Sequence, residues 1–334
     1  MLPITPRKLE YFTVIKNPDR ARALFKESVG RVGISISSYC NRQCTYCPNS
    51  IVDRKSAQNF MSDDLFFSIM RQLSKIDYDG EINVTRYNEP LADKEYALSR
   101  LRDIRVFLPD ATIHIFTNGD YLDRPYLDEL AGLGVNRITA TVHAGPGGKT
   151  DIDSLTTEQD RRLRELDLPY TLGNQTREDR YRIATVPVGE HLVLDYVAHD
   201  FYRGAEKGNA WAFDRGGVLP IPKTVTRISP CFSQFSEIDI EWDGKLLPCC
   251  QIHNDAFEND KYVLGTLMPD SNLFLAWTGS SYVQWRVKMF TFTKKATPCM
   301  TCSYGIPEGD TTGLRKDAEH IRTLLFQVTG QAAI

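Results

Sequence analysis

The sequence predicts an α/β fold built on a parallel sheet, followed by a smaller cysteine-bearing region, and two features point to it. From Arg31 to His143, short β-rich apolar runs alternate with segments of helical periodicity, as strands joined by crossover helices do. Further on, FSEIDIEWDGKLLPCCQI reads as two strands joined at Asp243-Gly244, a strong hairpin signal that ends on paired cysteines. A chain of 334 residues can bury a large core, as one large domain or one large and one small.

The first four strands read as RVGISISSY (31–39), GEINVTRY (80–87), ATIHIFT (111–117) and NRITATVH (136–143). Between the first two, Leu65, Phe66, Ile69, Met70, Leu73 and Ile76 recur at helical spacing behind Ser62, a suitable N-cap. EYALSRLRDIRVFL and PYLDELAGLG repeat the pattern before the third and fourth strands, so each strand has its own helix. After the turn-forming GPGGK, the charged TTEQDRRLRELD reads as a solvated helix. Strand-like runs resume at RIATVPV (182–188) and HLVLDYVA (191–198), and 203–217 reads as a long loop holding the domain boundary, near residue 215.

The net charge of −3 gives no basic field for neutralising phosphates, so a nucleic-acid partner is not expected. Charges interrupt every apolar stretch of the N-terminus and no run reaches membrane-spanning length, so no membrane association and a cytoplasmic location are expected. Eight cysteines in such a compartment point to metal ligands or reactive thiols rather than disulfides.

Cys40, Cys44 and Cys47 form a Cys-x3-Cys-x2-Cys cluster directly after the first strand. Three thiolates fit three irons of a cubane and leave one iron open, whereas a closed structural zinc site takes four ligands. The motif resembles the signature of the radical S-adenosylmethionine (SAM) superfamily. That resemblance implies a [4Fe-4S] cluster whose open iron binds SAM and whose electron releases a 5′-deoxyadenosyl radical. It also implies Tyr46 near the adenine. Tyr87-Asn88-Glu89-Pro90-Leu91 at the second strand's end looks like the family's Gly-Glu-type motif, which binds the SAM ammonium, with Asn88 in place of the usual glycine and Glu89 as the carboxylate. Thr117-Asn118-Gly119 at the third strand's end matches a recurrent Thr-Asn-Gly, assigning Thr117 and Asn118 to the cofactor. Ligands sit at such strand ends in open sheets and barrels.

Cys231, Cys249, Cys250, Cys299 and Cys302 form the second set. Cys-x17-Cys, Gly244-x4-Cys249 and Cys299-Met-Thr-Cys302 together resemble the auxiliary-cluster domain called SPASM, or its shorter relative, twitch. Five cysteines are too few for the two clusters of a full SPASM domain and enough for the single auxiliary [4Fe-4S] cluster of a twitch domain. The resemblance assigns Cys231, Cys249, Cys299 and Cys302 as ligands and leaves Cys250 over. A four-cysteine zinc ribbon is the alternative for this set, and a small buried hydrophobe the alternative for Cys250. GPGGKT is not a phosphate loop, because that motif needs a glycine where this chain has His143. His143 ends the fourth strand, a place open to a cavity-facing or a structural role. Asp214-Arg215-Gly216-Gly217 resembles a basic-glycine motif that precedes many such domains, and the sequence assigns it no chemistry.

The resemblance implies a partial (β/α)6 barrel over 31–215 and a twitch domain over 216–310, flanked by an N-terminal extension (1–30) and a C-terminal helix or tail (311–334). It also implies a small sugar- or aminoglycoside-type substrate and an external one-electron reductant such as flavodoxin or ferredoxin. The first functional reading is epimerisation of an unactivated carbon, with Cys250 as hydrogen donor, as in epimerases of aminoglycoside pathways. The alternative is oxidation of a carbinol, as in aminocyclitol dehydrogenases, with the auxiliary cluster taking an electron. Modification of a ribosomal peptide is a third reading, lowered by the short segment before the first strand. A zinc-stabilised binding protein is the alternative of another class.

Overall fold

A computed structural model of the protein describes residues 8–143, 151–173, 181–201, 214–220, 225–307 and 309–329. The GPGGKT segment and most of the 203–217 loop lie outside them. The chain enters through helix α1 (Pro18–Ser28) and strand β1 (Arg31–Ile34). Three helix–strand units follow: α2 (Asp63–Ser74) and β2 (Glu81–Asn83), α3 (Lys94–Phe107) and β3 (Thr112–Thr117), α4 (Arg124–Gly132) and β4 (Arg137–Val142). Next come α5 (Ile152–Leu166), β5 (Thr171–Leu172), β6 (Tyr181–Val188) and β7 (Leu192–His199). The C-terminal part holds α6 (Ser233–Ser236), β8 (Glu237–Ile240), β9 (Lys245–Leu247), β10 (Gly265–Thr266), α7 (Leu273–Trp277), α8 (Ser280–Met289) and α9 (Thr312–Thr329).

Local chemistry sets where the helices start. Asn17, Ser62, Asp93, Asp123 and Asp151 each accept a backbone N–H of the first turn that follows, Ser62 from Leu65 at 3.4 Å and Asp123 from Tyr126 at 2.8 Å. A cap of this kind contributes about 1 kcal/mol.

Among the described residues, ten strands form one sheet in the order β10-β9-β8-β1-β2-β3-β4-β7-β6-β5. Its centre, β8-β1-β2-β3-β4-β7, is parallel throughout. The sequence suggests that the barrel strands all lie within 31–215, but β8 comes from beyond that range. The position near 215 falls between β7 and α6 along the chain, while the sheet runs across it. The tight turn at Gly189 (φ +61°) lets β6 pair with β7 only antiparallel, so that hairpin adds one strand, β7, to the parallel set.

Two strands are shorter than their sequences suggest. After Ile34 the alternation continues, but Ser38 N–H donates to Asn59 (2.8 Å) and the Ile36 carbonyl accepts from Met61 (2.9 Å), so the chain leaves the sheet for the cysteine loop. Past Asn83, its side chain accepts the Thr85 N–H at 2.8 Å, an Asx turn that ends β2.

The parallel strands are two-faced. Val32, Ile34, Ile82, Ile113, Ile115, Ile138, Ala140, Leu194 and Ile238 are buried in one core with the helices. The alternate positions are Arg31, Glu81, His114, Arg137, Thr139, Asp195, Glu237 and Asp239. Parallel strands covered on both faces by apolar layers read as continuous apolar runs, so this alternation marks a polar second face. The N-terminal segment joins the core too: Tyr11 and Phe12 pack edge-on against Phe235, and Phe25 against Trp277.

Gly244 turns the β8–β9 hairpin at φ +85°, and a Cβ there would lie 2.3 Å from the Leu267 carbonyl oxygen. Gly244→Ala is expected to destabilise the protein by about 2 kcal/mol or more, since an L-residue pays ~1–2 kcal/mol for the left-handed region before any clash. The urea midpoint checks this, and an unchanged midpoint would contradict the turn geometry.

Candidate active site

The cysteine loop follows β1 at the end of the parallel strands where β2 and β3 also deliver their motifs. It is tied down on several sides. Cys40 N–H donates to Arg54 (3.0 Å), and Glu89 N–H donates to Tyr39 (2.7 Å). Arg54, itself buried, bonds Ser38 (3.2 Å) and pairs with Asp255 (2.7 Å), linking the loop to the C-terminal region. Asn41 (2.8 Å) and Arg42 (2.6 Å) both donate to Asp120, just beyond Thr117-Asn118-Gly119, and Arg162 (3.0 Å) closes the clamp. Burial alone would raise the Asp120 carboxyl, yet Arg42 and Arg162 hold it down to about 2. The clamp is therefore intact above about pH 4, the ordinary range of an aspartate, and is lost as pH falls toward 2.

The three thiols lie within electrostatic reach of one another. Burial, with the charges of Glu89, Cys47 and Cys44 adding to it, pushes Cys40 up to about 12, and burial raises Cys44 and Cys47 as well. Thiols in such a place favour ionisation only when a cation binds them, which suits an iron cluster.

Glu89, Thr117 and Asn118 come together. The Glu89 carboxylate accepts from Thr117 Oγ1 (2.7 Å), Asn118 N–H (2.8 Å) and Leu91 N–H (3.1 Å). Burial outweighs these bonds and lifts its pKa to about 7, so a cationic partner would stabilise its ionised form. Asn88 is occupied within its own turn, accepting from Arg86 N–H (2.9 Å) and donating to the Val84 carbonyl (3.4 Å). Tyr46 stacks on Phe201 (centroids 4.3 Å apart), and its hydroxyl bonds His143 Nδ1. Burial and nearby Arg42 lower His143 to about 3, which keeps its ring neutral.

In the C-terminal set, burial raises Cys249 strongly, and the charges of Cys250, Cys299, Cys231 and Cys302 all act on it. Arg227, fully buried, gathers the segments that carry these thiols. Its guanidinium donates to the carbonyls of Ser229 (3.2 Å) and Cys302 (3.4 Å), its N–H to Met300 (2.8 Å), and its carbonyl accepts from Lys295 (3.0 Å). Burial lowers the Lys295 ammonium to about 8, with Arg227 adding to the effect, so two cationic side chains stand beside the thiols. The Cys250 sulfur accepts from Gln251 Nε2 (3.3 Å), and burial pushes the thiol up to about 11, with Arg31 and Arg215 acting against the rise and Glu237 and Asp239 adding to it.

Charges of both thiol groups act on Arg215, and those of Cys250 and Cys47 act on Tyr87. Tyr87 donates to the Cys250 carbonyl (2.9 Å), and the Arg215 guanidinium stands 5.8 Å from its ring centroid. Arg215 donates to Gln251 Oε1 and interacts electrostatically with Cys47, Cys250 and Cys302. The Asp-Arg-Gly-Gly motif thus reaches the centre of the site. Asp120 and Arg227 carried no signal in the sequence, since each acts through backbone carbonyls or partners far along the chain.

Comparison with known proteins agrees with the two-part layout. Residues 34–149 match the radical SAM superfamily and residues 231–303 match an iron-sulfur cluster-binding domain, SPASM. The S-adenosyl-L-methionine-dependent 2-deoxy-scyllo-inosamine dehydrogenase of Niallia circulans is 38% identical over 114 residues, 34% of this chain and 45% of that protein. The FeMo cofactor biosynthesis protein NifB of Chlorobaculum tepidum is 26% identical over 145 residues, 39% of this chain and 32% of its own length. The matched stretches thus span less than half the length of either relative. The crystal structure of BtrN in complex with AdoMet and 2-DOIA superposes with a TM-score of 0.54 at 24% identity, covering 78% of this chain and 87% of that one, a likeness of fold. This chain therefore carries a radical SAM domain and a C-terminal SPASM domain. Together they imply SAM, the iron-sulfur cluster that binds it and an auxiliary iron-sulfur cluster.

Asp120→Ala removes the acceptor shared by Asn41, Arg42 and Arg162, bonds to a charged group worth about 1.5–3 kcal/mol before discounting for partial exposure. The variant is expected to fold but to retain less iron than wild type after anaerobic reconstitution and gel filtration. Equal iron content would mean that the loop keeps its shape without the clamp.

Proposed function

We propose that the chain is a radical SAM oxidoreductase that oxidises a carbinol of a small, amine-bearing polyol. Cys40, Cys44 and Cys47 hold the SAM-binding [4Fe-4S] cluster, and Cys231, Cys249, Cys299 and Cys302 hold the auxiliary one. When bound, the first cluster and SAM supply a 5′-deoxyadenosyl radical that removes hydrogen from carbon. Glu89 takes the SAM ammonium, steadied by Thr117 and Asn118, and Tyr46 lies along the adenine.

One observation supports the reading: the parallel strands carry a charged, hydrogen-bonding face opposite the apolar core. On it Arg137 pairs with Asp195 (2.6 Å), which accepts from Thr185 (2.8 Å), and His114 bonds Thr139 (3.0 Å). Such a lining suits hydroxyls and amines, the groups that the name of the Niallia relative's substrate describes. Arg215, whose charge acts on both Cys47 and Cys250, is placed to orient that substrate and to offset negative charge that develops on its hydroxyl. A flavodoxin- or ferredoxin-like protein is the proposed reductant. Among the described residues no helix is long and apolar enough to cross a membrane.

A second reading, epimerisation, is favoured by Cys250. Its thiol, held up to about 11, stays protonated near neutral pH, as a hydrogen donor must. Anaerobic turnover of 2-deoxy-scyllo-inosamine in deuterated water separates the two. Oxidation gives a ketone lighter by two hydrogens, without solvent label, and Cys250→Ala keeps this activity. An inverted product with one deuterium, lost in Cys250→Ala, would replace oxidation by epimerisation.

Glu89→Gln keeps the shape and removes the charge, so SAM affinity is expected to fall by about tenfold or more, matching ~1.5–3 kcal/mol for a charge-assisted bond. Equilibrium binding of SAM to the reconstituted protein checks this, and unchanged affinity would take Glu89 out of the site.

A further inference from the structure

We infer that His143 is a positioning residue for the radical-generating cluster, donating a hydrogen bond to the Cys44 sulfur and thereby raising the cluster's reduction potential. The inference rests on the reading that Cys44 is an iron ligand. His143 follows the last residue of β4, and its Nδ1 lies 3.6 Å from Cys44 Sγ across 99 residues of chain. The same nitrogen bonds the Tyr46 hydroxyl, which is itself within hydrogen-bonding reach of Cys44. A sulfur, an oxygen and a nitrogen thus share one small space beside the cysteine loop.

The positions of these groups are fixed from outside the loop. The Tyr46 and His143 rings lie nearly parallel (11°, centroids 5.8 Å apart), Phe201 stacks on Tyr46 at 4.3 Å, and His199 meets Phe201 edge-on at 4.2 Å. His143 therefore reaches Cys44 as part of a packed aromatic group on the ends of β4 and β7.

Proton accounting selects the direction of the bonds. A thiolate that ligates iron only accepts, while a neutral imidazole has one N–H and the tyrosine one O–H. With the imidazole hydrogen on Nδ1, it is shared between the Tyr46 oxygen and the Cys44 sulfur, and the tyrosine O–H points at the sulfur too. The other tautomer uses the Tyr46 hydroxyl on Nδ1 and leaves the charged sulfur without either donor, giving up the stronger, charge-assisted bonds. Donors to a ligand sulfur draw off negative charge, and the reduced cluster, with one more electron, gains more from them than the oxidised one. Cys44 thus joins the cluster to a donor pair that no cysteine spacing reveals.

The test is a redox titration of the reconstituted enzyme, followed by the EPR signal that responds to SAM, which singles out this cluster from the auxiliary one. His143→Phe keeps a ring and removes the donor. Its reduced-to-oxidised ratio at a fixed potential is expected to be about tenfold lower than in wild type, a midpoint about 59 mV more negative for one electron. His143→Gln, which keeps an N–H donor, should recover most of the difference, and Tyr46→Phe should shift the midpoint in the same direction as His143→Phe. A wild-type midpoint in His143→Phe, or a shift as large in His143→Gln as in His143→Phe, overturns the inference. If His143→Phe does not hold the cluster, Tyr46→Phe decides, and an unchanged midpoint there overturns it. A wild-type protein that binds no SAM-responsive cluster at all would instead overturn the assignment of Cys40, Cys44 and Cys47.

Discussion

The structure depends on a sheet whose central strands are parallel but apolar on one face only. Period-two alternation sends Val32, Ile34, Ile82, Ile113, Ile115 and Ile138 into the helices' core and leaves Arg31, Glu81, His114 and Arg137 on the other side. A one-residue slip in any strand would exchange the two sets, so burial of the apolar face fixes the register. That register in turn fixes where each strand end delivers its loop. The cysteine loop after β1, the Asn-Glu-Pro turn after β2 and the Thr-Asn-Gly turn after β3 emerge side by side because β1, β2 and β3 are adjacent and run the same way.

Charge is the second constraint. Burial raises the thiols it covers, so each thiol group must be met by positive charge before it can bind metal as thiolate. The protein supplies part of this itself. Arg227 and Lys295 stand beside the C-terminal set, and the charge of Arg215 acts on both Cys302 and Cys47. Losing one such cation would leave buried thiols nearer their neutral form, which weakens metal binding without touching any ligand.

How much of this could be read in the sequence follows from how local each signal is. The helices and their caps at Ser62 and Asp123, the hairpin at Asp243-Gly244 and the grouping of Glu89 with Thr117 and Asn118 all rest on short-range patterns or family motifs. The ends of β1 and β2 were less legible, because alternation continues past Ile34 and Asn83 while the hydrogen bonds go elsewhere. Placement of β8 beside β1 was not legible at all, since a strand some two hundred residues away (Arg31 opposite Glu237) leaves no periodic trace. The roles of Asp120, Arg227 and Arg215 were hidden for the same reason: a guanidinium can serve any nearby carbonyl or carboxylate, and its sequence neighbours do not say which.

The β1–β8 junction also accounts for the surroundings of Cys250. Asp239 lies opposite Gly33, and a Cβ on Gly33 would come within 2.6 Å of the Asp239 carboxylate, so the carboxylate occupies space that only glycine leaves free. There it lies 3.6 Å from Arg31 and 3.1 Å from Arg86, which also pairs with Glu241 at 2.8 Å. Buried groups of opposite sign held this way add little net stability, but removing one partner costs about 3–5 kcal/mol, so the arrangement is rigid. Its acids and bases nearly balance at Cys250: Arg31 and Arg215 pull the thiol down, Glu237 and Asp239 push it up, and burial decides the outcome at about 11. The junction therefore sets near Cys250 two arginines and two carboxylates whose effects nearly cancel, and burial leaves a thiol that keeps its hydrogen at neutral pH.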